Sequence, residues 1–266
     1  LIVGDNAQGK TNLLEAVAYL STGRSFRTAR QQELIRFGAE FAELNAAVYS
    51  QEREQTIRAV LFSSRRPRQL FLGGVKQRSA AALPGVLTTV LFCPDELLVL
   101  KNGSAGRRKL LDNAICQLRP NYAEALAEYG RLYENKSRIL RDCRDNPSLL
   151  EPLPEFNCRM AQVGAVLIYY RARYLEKLSQ LASDYHREFS GGKETLTLAY
   201  QTVSTIEDPF ADKKRLFEEI LLHQERHYTA ELESGQCLTG PHKDDFDACL
   251  DGVSIKSYGS QGQTRT

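Results

Sequence analysis

Eight consecutive residues near the start of the sequence carry the most chemistry: Gly4, Asp5, Asn6, Ala7, Gln8, Gly9, Lys10 and Thr11. They match G-x-x-x-x-G-K-[ST], the spacing of a phosphate-binding P-loop. Gly4 and Gly9 lack a Cβ, so backbone N–H groups can approach a polyphosphate closely. Lys10 carries positive charge toward the β- and γ-phosphates. Thr11 offers a hydroxyl to Mg²⁺, a cation that prefers hard oxygen ligands. With Asn12, which follows directly, these residues are the candidate ATP-binding set.

Such a loop needs a strand to deliver it and a helix to leave it. Leu1-Ile2-Val3 reads as that strand and Asn12–Leu20 as that helix, its positive dipole end aimed at the phosphates. Ser21-Thr22-Gly23 reads as the helix stop. At the other end of the sequence, Ser260-Gln261-Gly262-Gln263 forms a small polar loop able to offer N–H groups, a hydroxyl and amides to an anion. A plain turn also explains it. Ser190-Gly191-Gly192-Lys193 looks similar but follows a long helix, where a glycine C-cap accounts for it.

Two arginine groups flank the phosphate chemistry. Arg24, Arg27 and Arg30 are candidates for sensing the γ-phosphate or contacting DNA phosphate, against a solvated loop. Arg65, Arg66 and Arg68 are candidates for DNA contact at a strand turn, against ordinary surface charge. Neither group is interleaved with aromatics, so base stacking is not expected. His223 and His227, with Glu219 one turn earlier, make at most half a metal site and read as an exposed helix face. His242 with Asp244, Asp245 and Asp247 either borders a nucleotide or cation, or belongs to a Gly-Pro turn and strand start. No Ser/His/Asp or Cys/His arrangement supports covalent catalysis.

No later apolar strand ends in the acids that would hold Mg²⁺ and position water, so the catalytic acid is not identified. Leu91–Glu96 comes closest, but Pro94 separates the apolar run from the acids and marks a strand exit. With no initiator Met and a three-residue first strand, the expectation is a piece of a longer chain. Such a piece cradles phosphate but lacks part of the hydrolytic apparatus.

The 266 residues suffice for two lobes. There is no secretory signal and no apolar run of membrane-spanning length, and the six cysteines show no C-x-x-C pairing. Reduced thiols in a cytoplasmic protein follow. Charge is uneven: residues 1–110 carry a net +7, residues 111–190 none, and residues 191–266 a net −5. The basic excess sits beside the phosphate loop and suits a DNA-facing surface.

Three alternating runs, Glu43–Tyr49, Gln55–Phe62 and Arg68–Leu72, predict an antiparallel β meander, and the apolar run Val86–Cys93 predicts a buried strand. Helices are predicted over Arg107–Leu118, Tyr122–Cys143 and Phe156–Phe189. The last carries an apolar stripe that includes Met160, Leu167, Leu181 and Tyr185. It suits either a protruding arm or an ordinary helical lobe. A strand over Glu194–Val203, a helix opening at Asp208-Pro209, a strand over Phe246–Leu250 and an Asp251-Gly252 turn complete the pattern.

A P-loop at one end and a signature-like loop at the other resemble the ABC-type ATPase superfamily. There, a signature loop contacts nucleotide held by a second subunit. Five blocks narrow this: Gly4–Glu15, Ser21–Thr28, Arg107–Asp112, Gly240–Asp245 and Tyr258–Gln263. Their residues and order are similar to the bacterial RecF recombination-mediator family. Lys243 stands where that family also often has Arg.

The resemblance implies an α/β fold: a Rad50/SMC-like, ABC-type P-loop ATPase head with a mainly α-helical second lobe. It divides the chain into residues 1–109 (ATPase lobe), 110–235 (helical lobe) and 236–266 (return to the head with the signature motif). It implies ATP and Mg²⁺ as cofactors, with Thr11 reaching the metal and Ser260, Gln261, Gly262 and Gln263 acting in trans across an ATP-dependent homodimer. It implies weak DNA-dependent ATPase activity in the intact protein, and a piece that is inactive without the acidic motif. It also implies binding to single-stranded, double-stranded and gapped DNA, and work with RecO and RecR to load RecA. A small-molecule phosphotransferase and a structural SMC-like head are the rival readings.

Overall fold

The computed structural model describes residues 1–50, 52–93, 99–100 and 103–258. The chain divides into two compact units, Leu1–Leu91 with Cys116–Ala123, and Phe92–Ile115 with Glu124–Thr266. These bounds differ from the three expected segments. Among the described residues, those from 103 to 109 and from 236 to 258 fall with the helices rather than with the phosphate loop.

In the first unit, helix α1 (Lys10–Thr22) leaves the loop and stops at Gly23, whose φ of 70° is a left-handed C-cap. A Cβ there would meet the Ala80 Cβ at 2.5 Å, so this position needs glycine twice over. The meander forms as expected: β1 (Phe41–Ser50), β2 (Arg53–Phe62) and β3 (Gln69–Leu72) pair antiparallel in sequence order. A fourth strand, β4 (Val75–Gln77), adds to the edge. Gly73 and Gly74, both at positive φ, make the tight turn before it. One sheet face supplies Ile57, Ala59, Leu61 and Leu70 to a core shared with Tyr19 and Leu20 of α1.

Two expected strands are not formed among the described residues. Val86–Cys93 has no ladder partner. Its backbone is met by side chains instead: the Ser21 hydroxyl donates to Leu87 O (2.6 Å), and Thr89 N–H donates to Gln117 Oε1 (2.7 Å). Leu1–Val3 is likewise unpaired and exposed.

The second unit is mainly helical. It contains most of α2 (Ser104–Leu118) and α3 (Pro120–Asp142), then α4 (Leu153–Ser190) and α5 (Lys213–Ser234). A three-stranded antiparallel sheet of β5 (Leu196–Gln201), β6 (Asp245–Leu250) and β7 (Val253–Ser254) follows, and α6 (Ile255–Tyr258) closes the described chain. The 38 residues of α4 run about 57 Å. They do not stand as a free arm: Ala161, Ala165 and Ile168 pack against Leu216 and Ile220 of α5.

The apolar stripe holds through Leu175 and then fails. Leu181 and Tyr185 are exposed, while His186 takes the inward position and meets Glu194 at 3.2 Å. Helix α5 begins later than expected. The Asp208 carboxylate accepts from Phe210 N–H as a local turn, and Asp212 caps the helix by accepting from Arg215 N–H at 2.8 Å. The Asp251-Gly252 turn forms as expected between β6 and β7.

Candidate nucleotide site

The phosphate loop has the backbone of an anion cradle. Ala7 (φ 64°) and Gly9 (φ 87°) are both left-handed, which turns successive N–H groups toward one side. The first intrahelical bond of α1 runs from Leu13 N–H to Gly9 O at 3.0 Å. No side chain caps the donors ahead of it, and the first turn carries no acid. A helix start with uncapped donors and no local counter-charge favours an external anion.

Lys10 is folded over this loop. Its ammonium donates to Gly4 O and Asp5 O, each at 2.6 Å, and its third donor has no partner among the described residues. Thr11 and Asn12 are exposed at the start of α1. The donor set fits a polyphosphate: backbone N–H groups, one ammonium and one hydroxyl.

Of the six candidate arginines, Arg27 is joined to the cradle. Its Nη1 donates to Asn12 Oδ1 at 3.0 Å and to Glu15 Oε2 at 3.1 Å. Glu15 is buried and also accepts from the Ser25 hydroxyl, so the loop after Gly23 is pinned to the first two turns of α1. Glu15 went unrecognised in the sequence. The available signal was its place one turn after Asn12, facing the arginine-bearing loop.

Arg24 is exposed and its guanidinium has no partner among the described residues, and Arg30 reaches Glu33 at 3.5 Å. Arg68 sits at the other end of α1, donating to the Tyr19 hydroxyl (2.8 Å) and to Gly23 O. Arg66 lies 4.3 Å over the Phe62 ring, and Arg65 is exposed.

The second polar motif, Gly240–Asp245, is closed by its own chain. His242 lies between the Tyr129 hydroxyl (2.9 Å from Nδ1) and Cys237 O (3.1 Å from Nε2), against the Tyr133 ring. Burial, reinforced by nearby Lys243 and Arg108, pulls its pKa down to about 4. Asp244 accepts from the Tyr200 and Thr202 hydroxyls and lies 3.5 Å from Arg171. Burial pushes its carboxyl upward against the pull of that guanidinium.

Asp245 is held by Arg107 through paired bonds of 2.7 and 2.8 Å and by Lys256 at 2.9 Å. Burial works to raise this carboxyl, but these bonds outweigh it and bring it to about 2. Asp247 accepts from Ser254 at 2.8 Å. These residues therefore knit the second unit together, the turn-and-strand reading of the two left open.

His223 corrects another expectation: it is buried, because it falls on the inward stripe of α5 with Leu216 and Ile220, and its ring packs 4.1 Å from that of His227. The described residues hold no group of His, Cys, Asp and Glu able to bind a metal ion. Gly191 is a left-handed C-cap of α4, as expected for that look-alike loop. Ser260, Gln261, Gly262 and Gln263, and the acids Asp95 and Glu96, lie outside the described residues.

No family model matches the chain. Individual relatives do. The DNA replication and repair protein RecF of Agathobacter rectalis is 36% identical over 267 residues, spanning 100% of this chain and 70% of that protein. That of Symbiobacterium thermophilum is 37% identical over 267 residues with the same coverage. A solved structure of the recombination mediator protein RecF with ATP, in the RecFOR pathway, superposes with a TM-score of 0.89 at 31% identity. It covers 98% of this chain and 70% of that one. The phosphate loop, the α/β architecture of an ABC-type ATPase head and these matches across the whole chain lead to one assignment: the chain belongs to the RecF family.

Proposed function

We propose that this chain is the nucleotide-gripping part of a recombination mediator that clamps onto DNA when it binds ATP. The carrying observation is the phosphate loop itself: uncapped N–H donors at the start of α1, two left-handed residues, and Lys10 folded across the mouth. In this reading the backbone of Gly4–Lys10 holds the β- and γ-phosphates, Lys10 exchanges its loop carbonyls for phosphate oxygens, and Thr11 reaches Mg²⁺. ATP supplies the charge that bridges two copies, and its hydrolysis releases them.

Arg27 fixes Asn12 and the loop beside it, while Arg24 is available to a phosphate. Ser260 and Gln263 of a second copy close over the γ-phosphate. The DNA partner is a duplex next to a single-stranded gap, supported by the basic excess of residues 1–110. RecO and RecR are the expected co-workers in loading RecA, in the cytoplasm. No helix among the described residues is long and apolar enough to cross a membrane.

Light scattering on the full-length protein tests the clamp. Adding ATP–Mg²⁺ is expected to double the mass of the wild type, but not that of Lys10→Ala or Ser260→Arg. A wild-type mass indifferent to ATP–Mg²⁺ rejects the sandwich.

A further inference from the structure

The solvent face of the first sheet joins residues that the linear sequence keeps apart. Strand register sets Phe41 opposite Phe62, Arg58 opposite Phe71, and Phe71 opposite Lys76. Side chains alternate across a strand, so these residues share one face. On β1 that face is open: residues 41, 43, 45, 47 and 49 are exposed, while 42, 44, 46 and 48 are partly buried. Arg58 lies 5.1 Å over the Phe71 ring and Arg66 lies 4.3 Å over the Phe62 ring. Phe41 and Tyr49 remain 53% and 76% exposed. A cavity of about 410 Å³, lined in part by Asn45, Thr56, Arg58 and Phe71, opens beside the Arg58–Phe71 pair.

Charge on this part of the fold is one-sided: residues 53–78 carry seven Lys and Arg against one Glu. Glu43 provides local balance, pairing with Arg58 at 2.8 Å. Hydrogen bonds from Arg58 and Asn45 keep its carboxyl below the usual range, so it holds the guanidinium in place over the ring.

We infer that this face is a stacking platform for single-stranded nucleic acid. Unpaired bases lie on the guanidinium–phenyl pairs Arg58–Phe71 and Arg66–Phe62, and Lys76 and Arg65 neutralise the strand's phosphates. Four residue steps along β2 separate Arg58 from Phe62, about 13 Å, which makes two separate stations. A duplex hides its base faces and gains nothing from such pairs; an apolar protein partner would not call for this excess of cations.

The inference rests on the DNA-binding reading above, and the test separates the two. Full-length protein with ATP–Mg²⁺ is titrated with a thymidine oligonucleotide containing 2-aminopurine and, separately, with a blunt duplex of equal length. Wild-type binding is expected to quench the 2-aminopurine. Phe71→Leu keeps an apolar side chain and Arg58→Lys keeps the charge, yet each weakens oligonucleotide binding about tenfold and relieves the quenching, with duplex affinity within about twofold. Phe71→Tyr restores both signals. If both variants bind the oligonucleotide as wild type does, the platform is overturned and the DNA-binding reading stands. Equal loss of oligonucleotide and duplex, at unchanged melting temperature, also overturns it, since backbone contact then explains the face. A wild type that binds neither nucleic acid rejects the DNA-binding reading itself.

Discussion

Gly4–Thr11 and Gly240–Asp245 look alike on paper: short, polar, glycine-bearing and rich in groups that bind charge. Folded, they are opposites. The first is exposed and keeps its donors unspent, with only Lys10 turned back on its own carbonyls. The second is threaded by Tyr129, Arg107, Arg108, Arg171, Tyr200 and Thr202 until little capacity is left. Nearby, Lys136 and Glu231 form an ion pair at 2.6 Å with side chains 0% and 1% exposed. Glu231 also accepts from Leu238 N–H, Thr239 N–H and the Thr239 hydroxyl. Polar residue types alone therefore do not mark a binding site. What separates the two loops is whether the chain has already satisfied them.

That contrast can be broken most severely at Glu231. Glu231→Ala strands the Lys136 charge and removes the acceptor for three donors, and is expected to cost about 3–5 kcal/mol in urea unfolding. A loss under about 1 kcal/mol would mean the closed loop is not held as described. The next effect is set by pH. His242 is neutral in the fold down to about pH 4, whereas an unfolded histidine takes its proton near 6.5. Above pH 6.5 both states are neutral and nothing is lost. As pH falls from 6.5 to 4, the unfolded chain gains a proton that the fold refuses, and stability drops by on the order of 3 kcal/mol. Comparing urea midpoints of wild type and His242→Gln across that window isolates this contribution; parallel curves would disprove it.

The smallest effect on stability is expected at Lys10. Lys10→Ala should stay within about 0.5 kcal/mol of wild type without nucleotide. It should also lose the stabilisation that saturating ATP gives the wild type, about 2.7 kcal/mol at a hundredfold excess over Kd. If Lys10→Ala were as damaging as Glu231→Ala, the two loops would not differ in kind.

Much of this was legible in the residues because local rules decide it. The G-x-x-x-x-G-K-T spacing, the glycine stops at 23, 191 and 235 and the Asp251-Gly252 turn depend on few neighbours. β4 was missed although Gly73-Gly74 between short runs announced a hairpin. The Val86–Cys93 strand was expected from apolar content, but a strand exists only where another offers a ladder, and composition cannot report a partner. The Glu15–Arg27 clasp and the cation-over-ring pairs of the sheet lie beyond local reading for the same reason. The Arg58–Phe71 pair depends on register, which sets residues 13 apart side by side.

The knot around Glu231 and Gly240–Asp245 has a consequence for how the polypeptide matures. It fastens side chains at 107, 129, 136 and 171 to partners at 231–245, so it cannot close before those residues are made. The meander needs no such wait, since its longest pairing spans only Phe41 to Phe62. On the ribosome the sheet can organise early, while the contacts from α2, α3 and α4 to residues 231–245 wait until β6 emerges. Closing the knot is therefore a late step for this chain, and a chain stopped ahead of residue 231 would lack its Lys136–Glu231 pair altogether.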